Sequence, residues 1–284
     1  MSRHRERVER AYLEACLAEL AALKPGNVHA YAAGHDMTSA DFEVSARASA
    51  PAMADPALTV GQRILESIRH TRAVVACNTN LGIVLLCAPL AQAALMAAGP
   101  GLRQQLHDLL HGLTVDDAER AFAAIRLANP GGLGESARHD VQHSPAVTLH
   151  AAMAEARHRD RIAAQYCTDF VDIFEFGLDR LAAGQARWPE PEWATAATYM
   201  GFLAAYPDSH VARKLGQRVA EAVMTDARPL AHRLQAAANP KTILDDLKNF
   251  DRTLKDKGIN PGTSADLTVA TLFVSYLEQL RSVP

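Results

Sequence analysis

Cys77-Asn78-Thr79-Asn80-Leu81-Gly82-Ile83-Val84-Leu85-Leu86-Cys87-Ala88-Pro89-Leu90-Ala91-Gln92-Ala93-Ala94-Leu95-Met96 decides the fold. It sits inside a run without a single charge, from Ala73 to Leu102, and a run of that length can cross a bilayer. Asn78, Thr79, Asn80, Pro89 and Gln92 interrupt it, no second run of the kind occurs, and the mean hydropathy of the chain is near zero. A helix buried in protein explains the same composition, because it satisfies its own backbone and needs no lipid. The stretch therefore reads as a buried central helix over 80–98, with polar residues at its start.

Working outward, the pattern stays helical on both sides. Ala, Leu, Arg, Glu and Gln dominate, residues that lose little on entering a helix, and alternating β-branched runs are scarce. Val8, Tyr12, Ala15, Cys16 and Leu20 share one helical face between Arg7 and Leu23. Further helices are predicted over 39–54, 60–76, 115–128, 146–157, 160–183, 191–205, 211–223, 226–238, 241–256 and 264–281. Thr114 ahead of Asp116 and Asp117, Thr38 with Asp41, and Thr263 with Asp266 have the form of helix starts. The breaks fall at Lys24-Pro25-Gly26, Asn129-Pro130-Gly131-Gly132 and Gly258-Ile259-Asn260-Pro261-Gly262. With no repeat, low-complexity tract or linker, residues 1–284 are expected to form a single all-α domain, a multi-helix bundle with a polar cleft made by helix termini.

The chain has 284 residues, 49% hydrophobic and 21% charged, with a formal charge of −3. That is ample for a large core. The balanced charge excludes a strong field for nucleic acid or an anionic membrane, so a polyanion has to be held by a local cluster. Cys16, Cys77, Cys87 and Cys167 form no C-x-x-C pair, and the start, Arg3-His4-Arg5-Glu6-Arg7, lacks an apolar stretch of secretory type. Reduced thiols in a cytoplasmic protein are expected.

Four polar breaks carry groups suited to chemistry. In Lys24-Pro25-Gly26-Asn27-Val28-His29, followed by Gly34-His35-Asp36-Met37, Pro25 ends a helix, Gly26 permits close backbone approach and Lys24 can meet a phosphate. The same features suit a plain helix-ending loop. Asn78-Thr79-Asn80-Leu81-Gly82 opens the central helix and can cap it or bind an anion or base edge. Asp208-Ser209-His210-Val211-Ala212-Arg213-Lys214 gathers a carboxylate, an imidazole and two cations. It suits a metal-bound polyphosphate, or equally a capped helix start with a basic face. Asn260-Pro261-Gly262-Thr263-Ser264-Ala265-Asp266 presents successive amides at the start of the last helix, where anions bind.

No Walker loop or G-x-G-x-x-G occurs. His139-Asp140-Val141-Gln142-His143 spaces two histidines as in a zinc helix, but lacks the motif's Glu and is bracketed by Gly134 and Pro145. Asp169, Asp172, Glu175 and Asp179 can line up on one helix, as a diphosphate-metal pair or as a solvated stripe.

Together the four breaks resemble the motif set of the triphosphoribosyl-dephospho-coenzyme A synthase family. The most specific matches are Lys24-Pro25-Gly26, His35-Asp36-Met37 followed by Asp41-Phe42, and Asn260-Pro261-Gly262-Thr263-Ser264-Ala265-Asp266-Leu267; Asn78-Thr79-Asn80-Leu81-Gly82 and Asp208-Ser209-His210-Val211-Ala212-Arg213 match more loosely. The resemblance implies an all-helical enzyme that moves the triphosphoribosyl group of ATP to a hydroxyl of 3′-dephospho-coenzyme A and releases adenine. The chain departs where members typically carry Thr-His-Lys-Gly, having Thr79-Asn80-Leu81-Gly82, and where Asp208 precedes Ser209-His210 in place of a Thr-Asn pair. These departures mark a divergent branch. They leave room for a related Mg²⁺-dependent transferase with another acceptor in one-carbon carrier cofactor assembly, and for a non-catalytic nucleotide-binding protein.

On this resemblance the expected catalytic residues are Asp36, Asp208, Asp266 and His35. Asp208 and Asp266 serve Mg²⁺ or the sugar cation, and Asp36 is the base, with His35 or His210 as alternates. Lys24, Arg213 and Lys214 are expected to hold phosphates. Gly26, Asn27, His29, Asn78, Asn80, Gly82, His210, Gly262, Thr263 and Ser264 are expected to fix the nucleotide. The expected ligands are Mg²⁺, ATP as substrate and dephospho-CoA, with no nucleic acid or membrane partner; a homodimer is left open.

Overall fold

The computed structural model describes residues 2–282 apart from Tyr31, Ala33, His35, Asp36, Ala97, Ala98, Pro100 and residues 133–138. The described residues contain α1 (Ser2–Ala21), α2 (Ser39–Met53), α3 (Val60–Val74), α4 (Leu81–Leu95), α5 (Leu102–His111), α6 (Val115–Ala128) and α7 (Leu149–Ala156). They continue with α8 (Arg161–Cys167), α9 (Leu178–Arg187), α10 (Pro191–Ala205), α11 (Ser209–Leu215), α12 (Gln217–Ala236), α13 (Leu244–Asp256) and α14 (Gly262–Ser282). A π-helical turn, Asp172–Gly177, leads into α9, and a 3₁₀ turn, Pro240–Ile243, leads into α13. The only extended pairing among the described residues is two isolated bridges, His29 with Ala32 and Gly34 with Met37. The fold is all-α, as expected.

The central helix is α4. It is apolar around its whole circumference because it is enclosed: α1, α2, α3, α5, α6, α8 and α14 all pack on it. Pro89 has no N–H to give the carbonyl of Leu85 one turn earlier. The hydroxyl of Tyr166 takes that place, donating to the Leu85 oxygen at 2.6 Å. No helix among the described residues is long and apolar enough to cross a membrane.

The apolar core forms two clusters. The larger gathers α1 to α8 around α4, together with the inner face of α14. The smaller gathers α10, α12 and α13 with Leu23, Ile259 and Ala265. The last helix belongs to both through Ala265 and Leu267. Its first turn therefore lies at the junction where the polar breaks meet.

Three helices differ from expectation. Leu102–His111, absent from the predicted set, forms α5, burying Leu102, Leu106 and Leu110 at helical spacing. The stretch 160–183 is not one helix. After α8 the chain turns through Asp169 and Phe170, both with positive φ, so that Asp172 can return to Arg161 with bonds of 2.6 and 2.7 Å. The break placed near 223–226 lies instead at Gly216, with φ of 95°, and α12 runs unbroken through Pro229.

Candidate active site

A cleft of about 790 Å³ opens between the two clusters, within the usual range for small-molecule sites. One side is apolar, made by Leu81, Ile83, Phe122, Ile125, Met153 and Ile162. The other is polar. It carries Asn27, Asn78, Gly82, His210, Arg213, Lys214, Gly262, Thr263 and Asp266 from the expected site, drawn from all four breaks.

Asp266 stands at the centre. Gly82, in the first turn of α4, faces its carboxylate so closely that a Cβ there would fall 1.9 Å from Oδ2. Only glycine leaves room for the acid beside the helix start. Burial pushes the Asp266 carboxyl well above the usual range, and the charges of Asp208, Glu19 and Asp160 add to the rise, against the lowering effect of Arg213.

Asp208 supports this corner without reaching the cleft. Its Oδ1 accepts from the amides of His210 and Val211 (2.9 and 3.1 Å), and its Oδ2 accepts from the amide and hydroxyl of Ser264, both at 2.8 Å. Burial raises its pKa, and these four bonds oppose the rise. Asp208, expected as a metal ligand, thus engages both oxygens in a tie between α11 and α14. Ser264 is spent on the same tie. The amide of His210 also donates to Thr263 Oγ1 at 3.1 Å, and the His210 ring packs over Gly262.

Lys24 is fully buried, donates to Glu19 and to Asn27 Oδ1 (3.2 Å), and does not line the cleft. Burial lowers its pKa while Glu19 opposes the fall. The network continues from Asn27 Nδ2 to Asn260 Oδ1 at 2.7 Å, which joins the first break to the last. Gly26 has a φ of 84°, and a Cβ there would meet Pro261 at 2.8 Å, so these loops interlock at a glycine. The Gly26 amide donates to Asp251 Oδ1 (2.8 Å), and His29 Nε2 lies 3.4 Å from Asp251 Oδ2, behind the cleft. Tyr199 locks the same loop by donating to the Pro25 carbonyl at 2.7 Å.

Asn78 caps α4 through the Leu81 amide at 3.1 Å and lines the cleft. Asn80 points the other way, its Nδ2 donating to Thr71 Oγ1 at 2.9 Å. Its side chain does not line the cleft. His35 and Asp36 lie outside the described residues.

Sequence reasoning missed several cleft residues. Glu19 is the most consequential: burial raises its pKa and Lys24 opposes that. Its signal was present, since an acid seven residues after Tyr12 falls on the apolar face of α1. Asp160 caps α8 and lies 3.7 Å from Arg213. Arg72 and Arg159 line the mouth. The stretch His139-Asp140-Val141, which lacks the Glu of a zinc helix, is irregular chain on the cleft wall. By contrast Asp172, read as part of an acidic stripe, is buried against Arg161, Gln165 and Tyr206.

The sequence matches the CitG family, ATP:dephospho-CoA triphosphoribosyl transferase, over residues 5–283. The chain belongs to this family. It is thus a transferase using ATP, and the reaction of the family is transfer of the triphosphoribosyl group of ATP to dephospho-CoA. A crystal structure from Archaeoglobus fulgidus, provisionally designated a triphosphoribosyl-dephospho-coA synthase, shares the fold with a TM-score of 0.65. The two are 23% identical, over 82% of this chain and 97% of that one. No curated protein matches the sequence.

Proposed function

We propose that the cleft between α4 and α14 holds ATP and dephospho-CoA together, with Asp266 facing the ribosyl carbon. Transfer of the triphosphoribosyl group breaks the bond between that carbon and adenine. A bond to the acceptor hydroxyl oxygen forms, the hydroxyl proton departs, and the leaving adenine gains one. The phosphates stay intact. Positive charge develops on the sugar along the way. A carboxyl crowded by burial and by other carboxylates gains most when a cation appears beside it. The place of Asp266 in the cleft wall, with its carboxylate against Gly82 at the start of α4, is the observation that carries the assignment.

The other roles follow from where each group lies. Arg72, Arg213 and Lys214 at the mouth suit the triphosphate. Phe122, Ile125, Met153 and Ile162 suit the adenine. Asn78, whose amide nitrogen is not used in its cap, suits a ribose or base edge, and Asn27 with Asn260 braces the loop beside it. Glu19, raised by burial, is the base we assign to the acceptor hydroxyl. His210 and the sequence candidates His35 and Asp36 are the alternates. Asp208 and Lys24 act through their neighbours.

Mg²⁺ fits this donor set. Asp266 and Asp160 offer hard carboxylate oxygens in a group with an excess of negative charge, and one or two carboxylates plus substrate phosphates is how Mg²⁺ is commonly held. When bound it would neutralise the triphosphate. Four free cysteines and two nucleotide substrates suit a cytoplasmic setting.

The test is Asp266→Asn with ATP and dephospho-CoA, following free adenine. A fall of about 10²–10⁴-fold in kcat is expected. Undiminished adenine release by the folded variant removes Asp266 from the mechanism. ADP or orthophosphate in place of adenine, from the wild type, overturns the reaction itself.

A further inference from the structure

Outside the cleft, three groups from different parts of the chain come together. His107 and His111 stand one turn apart on α5, and Asp169 reaches them from the turn after α8. One ligand atom of each lies within 4.8 Å of the other two. None of the three lines the cleft, and the transferase reaction gives them no task. We infer that His107, His111 and Asp169 bind one divalent transition-metal ion of the zinc class.

Ligand chemistry supports this. Two imidazoles and one carboxylate form a nitrogen-rich borderline set, which suits zinc and its neighbours better than Mg²⁺ or Ca²⁺. The carbonyl of His107 lies 2.9 Å from Nδ1 of His111, so that nitrogen carries its proton and Nε2 keeps the lone pair. Nδ1 of His107 donates to Asp169 Oδ2 at 2.9 Å. A bound ion would replace that proton, which would shift to Nε2 of the same ring, leaving Nδ1 and the carboxylate to hold it.

The approach required is small. Ligand atoms around tetrahedral zinc stand roughly 3.3 Å apart, from bonds of about 2.0–2.1 Å. The side chains of His107 and Asp169 are 42% and 35% exposed, which leaves them free to rotate into place. His150, from α7, packs its ring against His111 at 5.1 Å between centroids and shields one side. The fourth position is open to water.

Such an ion would pin α5 to the turn at Asp169 and Phe170, where φ is 49° and 56°. It would be a structural clamp beside α7 and α8, the helices that carry part of the cleft's wall.

The test uses the full-length chain without a histidine tag, stripped with chelator and titrated calorimetrically with Zn²⁺. Co²⁺ is added in parallel and its visible absorption recorded. One equivalent per chain and an intense visible cobalt band are expected. His111→Gln and Asp169→Asn should each weaken Zn²⁺ binding at least tenfold and abolish the band. His111 is exposed, and Asn tolerates the positive φ at 169, so both variants should fold. Absence of stoichiometric Zn²⁺ uptake by the wild type overturns the inference. So does wild-type affinity in either variant, which would put the ion on other histidines.

Discussion

Asp266 concentrates the conflict between stability and function in one side chain. Its carboxyl is pushed above the usual range by burial, then by Asp208 and Glu19. A carboxyl whose pKa rises on folding costs stability once it ionises. The cost is absent below the unfolded value, grows as pH rises through the interval between the two pKa values, and is complete above the folded one. Asp266→Asn removes it. The variant should therefore melt above the wild type at pH 8, with the difference shrinking toward zero below about pH 3.8, the unfolded value. Thermal melts across this range check the sign; a lower Tm for the variant at pH 8 contradicts it. Glu19 carries a similar burden, but with Lys24 against it. Replacing one member of that pair leaves the other buried alone.

Helix ends carry most of the organisation at the next scale. Asp208 ties the start of α11 to that of α14 by four bonds. Asp208→Ala leaves several buried donors without partners, each costing about 1–3 kcal/mol. A loss of roughly 3 kcal/mol or more in urea unfolding is expected, whereas a metal ligand would show its loss in catalysis alone. In α4 the repair is a single bond. Tyr166→Phe strands the Leu85 carbonyl opposite Pro89 and should cost about 1–3 kcal/mol, with little effect on substrate affinity. The capping boxes at Thr38 and Thr114 stand where the sequence placed helix starts, because cap chemistry is local. The turn inside 160–183 was not legible there. The pairing of buried Asp172 with half-buried Arg161 accompanies a break in a good helical pattern, and such a pair is visible only after packing.

Across the whole molecule, the cleft exists because α1, α4, α11 and α14 bring their ends to one place. The cations at its mouth belong to no core. Lys214 is exposed, and Arg213 reaches the Gly131 carbonyl and Asp160. Arg213→Ala with Lys214→Ala should weaken ATP binding by about tenfold or more for each lost phosphate contact, taking roughly 1.5–3 kcal/mol per charged hydrogen bond. The Tm of the free protein should change little. Calorimetric titration with ATP measures the first, and unchanged affinity would move the triphosphate elsewhere. The helical class, the buried helix at 81–95 and the four polar breaks were all readable from residue order, since periodicity, caps and glycine-proline punctuation act over a few residues. Which break residues face the cleft was not. Lys24, Asn80 and Asp208 have side chains as suitable as those of Arg213, Asn78 and Asp266. What separates them is the identity of the neighbours, Glu19, Thr71 and Ser264, two of them only five and nine residues away in the chain and one fifty-six. A polar group is available to a substrate only if the folded protein has not already satisfied it, and that is a property of packing.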